Sequence, residues 1–216
     1  MMRFPVIVLF LIVSLVLSCA GKSGPRLTHE QEIQADEYLL EARNYHEDQK
    51  FSKAVESYRR AIEILPGNAY AHAGLAASYD GMKMSEEAIA AYNQAMKLMP
   101  DEPLFPYSIG VIYSRSKKYE DAIKAFGNAV KADAAYADAY YGMGWAYGET
   151  GKYNEAITHY RKAITADPYH VRSHYALGKV YLMSGDRKSA MKQYDILLGI
   201  DPVKADDLLA EINLLK

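Results

Sequence analysis

The sequence has only one cysteine, Cys19, in 216 residues, so no disulfide can form within the chain. It also lacks an excess of positive charge, because 25 basic residues stand against 27 acidic ones and the net charge is −2. A chain that begins at Cys19 loses Arg3 as well, which leaves 24 basic residues against 27 acidic ones. General nucleic-acid binders are usually basic, so this composition argues against a nucleic-acid partner.

Catalytic motifs are also missing. The sequence contains no phosphate-binding glycine loop, no serine-nucleophile elbow and no HExxH helix. Of the six histidines, only His170 and His174 have a ligand-like spacing of four residues, and no cysteine or carboxylate close by in the sequence completes a metal-ligand set. We therefore expect no enzymatic activity and no metal site.

Residues 1–18, MMRFPVIVLFLIVSLVLS, form a hydrophobic leader. One positive charge, Arg3, precedes a hydrophobic stretch of 14 residues from Phe4 to Leu17, interrupted by Ser14. A membrane-spanning helix needs about 20 apolar residues, so this length is more typical of a secretory signal. We interpret residues 1–18 as a signal peptide, and an uncleaved N-terminal anchor is the alternative.

Val16, Leu17 and Ser18 stand directly before Cys19. This pattern resembles the lipobox of bacterial lipoproteins, in which the leader is cut before a lipidated cysteine. The resemblance implies a covalent lipid on Cys19, and we expect no other cofactor. Residues 19–27 contain two glycines and a proline, which predicts a lipidated, flexible tether.

The residue after the cysteine is Ala20. In lipoproteins of two-membrane bacteria, an aspartate at this place is the usual signal for retention in the inner membrane. The resemblance therefore implies an outer-membrane anchor that faces the periplasm. In a one-membrane organism the same sequence implies the outer face of the cytoplasmic membrane.

A period of 34 residues runs through the rest of the chain. It relates five segments: AVESYRRAIEILP (54–66), AIAAYNQAMKLMP (88–100), AIKAFGNAVKADA (122–134), AITHYRKAITADP (156–168) and AMKQYDILLGIDP (190–202). Each segment begins with alanine and has an aromatic residue four positions later: Tyr58, Tyr92, Phe126, Tyr160 and Tyr194. A third recurring position follows three residues later. This spacing places the recurring residues on one face of a helix.

A second helical pattern precedes each of these segments. Tyrosine recurs at the same 34-residue period as Tyr45, Tyr79, Tyr113, Tyr147 and Tyr181. Three residues before each tyrosine stands a small residue: Ala42, Ala76, Gly110, Gly144 and Gly178. Prolines predict the ends of four of the second helices, at Pro66, Pro100, Pro168 and Pro202. Each period is thus predicted to be a pair of amphipathic helices.

These residues closely resemble the tetratricopeptide repeat. The resemblance covers five units, namely residues 35–68, 69–102, 103–136, 137–170 and 171–204, within a domain of residues 28–216. It implies an all-α fold, a right-handed solenoid of stacked helix pairs. Thr28 and Gln31 predict a capping box that opens the first helix. Residues 205–216, ADDLLAEINLLK, predict an amphipathic helix that caps the last unit.

Unit three departs from the pattern of the other units. Pro103 and Pro106 crowd the start of its first helix, and Gly127 lies inside its second helix. Glycine in a helix costs about 0.5 to 1 kcal/mol relative to alanine. We predict that this unit is the least stable one, and the alternative is that tertiary packing absorbs these changes.

In the tetratricopeptide family, the first helices line a concave groove, and residues at a few positions of each unit commonly face the ligand. Carried over to this chain, the resemblance implies a partner-binding groove formed by Tyr70, Tyr107, Arg115, Tyr141, Trp145, Arg172, Tyr175 and Lys179. Aromatic and arginine side chains often anchor interfaces. The alternative is that some of these tyrosines only pack against the neighbouring repeat.

Two functional hypotheses follow. The first is a lipid-anchored scaffold that binds a peptide or a helix of another envelope protein. Its likeness to repeat lipoproteins of envelope assembly, such as those of the pilotin type, implies a role in assembling or localising an envelope complex. The second is a polysaccharide-binding adaptor, because rows of tyrosine and tryptophan can also stack on sugar rings.

Overall fold

The structure is a computed structural model that describes residues 27–214. These residues contain eleven α-helices and no strand. The helices are α1 His29–Glu47, α2 Phe51–Ile64, α3 Ala69–Gly81, α4 Ser85–Leu98, α5 Leu104–Arg115, α6 Tyr119–Ala132, α7 Ala137–Glu149, α8 Tyr153–Ala166, α9 Val171–Met183, α10 Arg187–Ile200 and α11 Pro202–Leu214. The predicted signal peptide, Cys19 and the tether up to residue 26 lie outside the described residues.

The helices stack in chain order, as expected of a solenoid. Each helix packs against the next one, and the first helices of neighbouring units also touch, namely α1 with α3, α5 with α7 and α7 with α9. The predicted all-α solenoid is confirmed. Within the described part of the chain, no helix is both long enough and apolar enough to cross a membrane.

The capping box at the start of α1 is also confirmed. The Gln31 amide donates to Thr28 Oγ1 at 3.2 Å, and the Thr28 amide donates to Gln31 Oε1 at 2.9 Å. Two amide groups that the first turn of a helix leaves without partners are thereby satisfied.

The turns inside the five helix pairs share one backbone conformation. Each turn contains one residue in the left-handed region, and these residues recur every 34 positions: Gln49 (φ 59°), Lys83 (φ 63°), Lys117 (φ 56°), Gly151 (φ 74°) and Gly185 (φ 80°). Only the last two are glycines, the residue that adopts this conformation without steric cost. The first three units therefore carry strain at a turn that the last two units make freely.

The core is built from the recurring small and aromatic residues. The first alanines of the second helices are all fully buried: Ala54, Ala88, Ala122, Ala156 and Ala190. Gly110 and Gly144 lie so close to the rings of Phe126 and Tyr160 that an added Cβ would stand only 2.5 and 2.7 Å from them. Small residues on the first helix thus make room for one large ring of the second.

The second helices end earlier than the prolines predict. The helices α2, α4, α8 and α10 end two residues before their prolines, and the residue before a proline is disfavoured in the helical region. Helix α6 ends at Ala132, at the corresponding place, although Ala134 replaces the proline there. Pro202 is the first residue of α11, where its missing amide hydrogen costs nothing. The capping helix therefore begins three residues earlier than predicted.

Unit three accommodates its prolines at the start of a helix. Pro103 is the N-cap of α5 and Pro106 lies in the first turn, where proline is tolerated. An added Cβ on Gly127 would meet no heavy atom within 4 Å. No close packing therefore requires a glycine at this position.

Candidate functional site: an aromatic groove

Two adjoining cavities lie along the first helices of units three to five. One, of about 400 Å³, lies between α5 and α7, and the other, of about 260 Å³, lies between α7 and α9. Both are lined by Tyr141, Trp145 and Glu149, so they adjoin along this row of α7 and together make one surface. We call it the aromatic groove.

The walls of the aromatic groove form a grid. Each of the three helices contributes the fifth, ninth and thirteenth residues of its unit, which lie four residues apart and so share one helical face. The rows are Tyr107, Val111 and Arg115 on α5, Tyr141, Trp145 and Glu149 on α7, and Tyr175, Lys179 and Met183 on α9. The 34-residue period is thus the reason why the three rows are in register.

Trp145 lies at the centre of the grid and is only partly buried. Its ring stands 5.7 Å from the ring of Tyr119 in an edge-to-face contact. The Tyr119 hydroxyl in turn donates to Glu149 Oε2 at 3.5 Å. Tyr119, the first residue of α6, therefore supports both the indole ring and the carboxylate that borders it.

Tyr107 and Tyr141 lie between the groove and the core. Their rings stand 5.6 and 5.7 Å from the buried rings of Phe126 and Tyr160, respectively. Each tyrosine therefore packs against a core ring of its own unit and also lines the groove. Burial raises the pKa of both phenols, so they are neutral hydrogen-bond donors at physiological pH.

The two predicted arginines are held by acidic partners of the preceding unit. Arg115 forms an ion pair with Asp80, and Arg172 forms one with Asp138. The guanidinium of Arg172 also lies 5.2 Å from the centre of the Tyr141 ring. Arg115 lines the groove, whereas Arg172 lines neither cavity and lies over the ring of Tyr141.

In unit five, the capping helix contacts the groove residues. The Tyr175 hydroxyl donates to Glu211 Oε1 at 2.6 Å, and Lys179 Nζ lies 3.1 Å from the same carboxylate oxygen. The ammonium group of Lys204 lies 5.4 Å from the centre of the Tyr175 ring. Helix α11 therefore closes this end of the groove.

Tyr70 lies apart from the other predicted residues. Its side chain is 60% exposed and makes an edge-to-face contact with Phe105 at 6.2 Å, but it lines neither cavity. Unit two has Ala73 and Ala77 at the fifth and ninth positions. Without large side chains at these positions, the walls of the groove do not continue to Tyr70.

The eight residues predicted from the sequence leave out Val111, Glu149, Met183 and Tyr119, which also line the groove. Glu149 and Met183 stand at the same thirteenth position as Arg115, so the same count applied to every unit finds them. Tyr119 comes from a second helix, and its place beside Trp145 depends on the turn before it.

His170 and His174 bind protein groups with both of their ring nitrogens. His170 lies 2.7 Å from Ser173 Oγ and 3.0 Å from Asp138 Oδ1. His174 lies 2.8 Å from Gln193 Oε1 and 3.0 Å from the carbonyl oxygen of Pro168. Asp138 is a carboxylate near His170 that the sequence did not predict, because it lies 32 residues earlier in the chain. Across residues 27–214, no group of three or more histidine, cysteine or acidic side chains is arranged to hold a metal.

Two family models match the chain over most of the helical array. The model described as TPR repeat matches residues 112–151 and 146–185, and the one described as Tetratricopeptide repeat matches residues 45–105. The chain is a tetratricopeptide-repeat protein. Repeats of this family imply protein partners, and the grid of the aromatic groove lies within the matched units.

Solved structures of tetratricopeptide-repeat proteins have the same fold. The crystal structure of MamA protein is 24% identical, with a TM-score of 0.67, and the match covers 80% of this chain and 94% of that one. YrrB, described as a TPR protein with an unusual peptide-binding site, is 21% identical, with a TM-score of 0.61 and coverages of 82% and 91%. Pseudomonas aeruginosa pilF is 18% identical, with a TM-score of 0.68 and coverages of 86% and 91%. No curated protein matches this chain.

Proposed function

We propose that this tetratricopeptide-repeat protein is a non-catalytic scaffold that binds a peptide or a helix of a partner protein in the aromatic groove. The observation that carries the proposal is the grid of nine side chains in three rows, with Trp145 at its centre. Aromatic side chains that are held in place lose little conformational entropy on binding, and they dominate the energy of many interfaces.

The chemistry of the groove indicates what kind of segment fits. Its centre, formed by Tyr141, Trp145 and Val111, suits an apolar or aromatic anchor residue. Its borders carry both signs of charge, since Arg115 lies on one side and Glu149 between the two cavities. A segment with an apolar anchor and flanking polar groups meets both requirements.

The site of action in this proposal is the bacterial cell envelope. A lipid on Cys19 and a tether of residues 19–27 hold the repeat domain at a membrane, most simply the outer membrane facing the periplasm. Confinement to a membrane raises the effective concentration of the scaffold for other membrane-bound proteins. The proposed partners are therefore other envelope proteins whose complex the scaffold assembles or localises.

The groove is tested by cross-linking in native membranes followed by mass spectrometry, with Trp145→Ala and Tyr141→Ala as variants. Tyr169→Ala is the matched control, because Tyr169 is 74% exposed and lines neither cavity. We expect the groove variants to lose a protein partner that the control retains. Loss of glycan binding with protein partners unchanged would favour the polysaccharide adaptor instead.

The anchor is tested separately with Cys19→Ser. This variant removes the thiol that a lipid would modify, so the protein is expected either to leave the membrane fraction or to accumulate as an uncleaved precursor. Normal processing together with an unchanged membrane fraction would refute lipidation. This result would leave the groove experiment unaffected.

A further inference from the structure

An arginine from one unit covers a tyrosine of the next at two junctions of the array. Arg59 donates from Nη2 to the Tyr79 hydroxyl at 2.6 Å, and Arg161 donates to the Tyr181 hydroxyl at 2.7 Å. In both pairs the guanidinium carbon lies 5.9 Å from the centre of the ring. Both tyrosines are only 7% exposed. These contacts join unit one to unit two and unit four to unit five.

The junction of units two and three has the tyrosine without the arginine. Tyr113 is the counterpart of Tyr79, and Asn93 stands where the period places the arginine. Within residues 27–214 no side chain forms a hydrogen bond with the Tyr113 hydroxyl, and Tyr113 is more exposed than Tyr79. Asn93 and Tyr113 instead line a cavity of about 230 Å³, which we call the junction pocket.

The junction of units three and four is different. Gly127 replaces the arginine there, but the ring of His159 stacks on Tyr147 at 5.2 Å with an angle of 15° between the ring planes. A side chain of the protein itself therefore covers this tyrosine. Among the side chains that the structure describes, no ring or cation stacks on Tyr113 in this way.

The junction pocket and the aromatic groove lie on opposite sides of α5. Tyr107, Val111 and Arg115 face the groove, whereas Ile109 and Tyr113 line the pocket. At about 100° per residue, the directions of the two sets differ by roughly half a turn. The pocket is also bounded by the second helices α4 and α6, whereas the three rows of the aromatic groove lie on the first helices α5, α7 and α9. It is therefore a separate surface.

The lining of the junction pocket suits a guanidinium group on an aliphatic stem. Ile89, Met96 and Ile109 provide apolar walls for the methylene groups. The carboxylate of Asp121 offers a countercharge at the pocket. The positive charge of Lys124 repels an incoming cation. Its Nζ lies 3.5 Å from Asp121 Oδ1, but the side chain is 77% exposed, so it can turn towards solvent.

We propose that the junction pocket binds an arginine side chain of a partner protein. The incoming guanidinium takes the place that Arg59 and Arg161 occupy at the other two junctions, where it donates to the Tyr113 hydroxyl and lies over its ring. The carboxylate of Asp121 pairs with the positive charge of this guanidinium. Two internal examples of the same contact identify the occupant, and the array can bind a partner on both of its sides.

The test uses the full-length protein in detergent, with methionine methyl groups labelled for NMR, and N-acetyl-arginine amide as the probe. N-acetyl-citrulline amide is the matched control, since it has the same shape without the charge. We expect a saturable shift of the Met96 methyl signal with the arginine probe and at least tenfold weaker binding of the citrulline probe. Tyr113→Phe removes one hydrogen bond to a charged group and should weaken binding about tenfold.

Asn93→Arg provides a second, independent test. The new side chain should occupy the junction pocket from within the chain, so the probe should no longer shift Met96. Circular dichroism establishes that the variant is folded. Tyr169→Ala is the control that should bind the probe as the unaltered protein does, because Tyr169 is 74% exposed and does not line the junction pocket. Equal shifts with both probes, no shift at all, or an undiminished shift in Asn93→Arg would overturn the proposal. None of these results bears on the aromatic groove.

Discussion

Two glycines inside helices, Gly127 in α6 and Gly144 in α7, allow one substitution to be made in two opposite environments. A Cβ added to Gly127 would meet no heavy atom within 4 Å, whereas one added to Gly144 would stand 2.7 Å from the ring of Tyr160. Tyr160 is 3% exposed, so its ring cannot move aside freely. We predict that Gly127→Ala stabilises the protein and that Gly144→Ala does not.

The expected magnitudes follow from two effects. Alanine in place of glycine inside a helix contributes about 0.5 to 1 kcal/mol to the free energy of unfolding. Overpacking a buried site costs about 1 to 3 kcal/mol. Gly127→Ala should therefore stabilise by about 0.5 to 1 kcal/mol, because only the first effect acts. For Gly144→Ala the two effects oppose each other, and the net result should lie between about zero and a loss of ~2.5 kcal/mol.

Urea unfolding followed by circular dichroism measures both free energies, and native-state hydrogen exchange assigns them to units. If Gly127 weakens unit three, exchange in α5 and α6 should be faster than in the neighbouring helices and should slow in Gly127→Ala. A Gly144→Ala variant as stable as Gly127→Ala would refute the reasoning, because the Tyr160 ring would then yield without cost. Equal exchange in all units would refute the predicted weakness of unit three.

Three further predictions concern a turn, a titration and a cap. Lys117 and Gly151 both have a left-handed backbone, which glycine adopts more easily than other residues. Lys117→Gly should therefore stabilise the protein by about 1 kcal/mol, and Gly151→Ala should destabilise it by a similar amount. Urea unfolding measures both free energies. Burial, assisted by the charge of Asp138, raises the pKa of Tyr136 to about 12. An unfolded tyrosine ionises near pH 10, so the folded state binds more protons between about pH 10 and 12 and stability falls as the pH rises through this window. In Tyr136→Phe the urea midpoint should fall less steeply there, and an identical slope would contradict the prediction. Thr28→Ala should cost about 1 kcal/mol at the start of α1 and speed amide exchange in its first turn, whereas unchanged exchange would show that the cap contributes little.

The sequence predicts the fold well because the same contacts recur at a fixed period. Alanine and aromatic positions that return every 34 residues identify both helices of each pair. The helix ends are less well predicted. Proline marks where a helix cannot continue, but the chain leaves the helical conformation earlier, and in α6 it does so without a proline.

The aromatic groove is only partly predictable from the sequence. The repeat positions of Tyr107, Tyr141 and Trp145 are enough to expect them on one surface, because they depend only on the period. The contacts of Tyr175 depend on where Glu211 of the capping helix lies, and α11 does not follow the 34-residue pattern. The separation of Tyr70 from the groove likewise depends on other residues, because Ala73 and Ala77 are too small to continue the groove walls in unit two.

The capping helix also determines where the array can grow. Glu211 binds Tyr175 and Lys179 of unit five, and Arg187 donates to the carbonyl oxygen of Ile212, so α11 is fitted to that unit. A unit inserted between two existing ones would meet helices that repeat its own pattern. A unit added after residue 204 would have to displace these contacts. Duplication of an internal unit is therefore the simpler way to lengthen the array, both in protein engineering and in evolution.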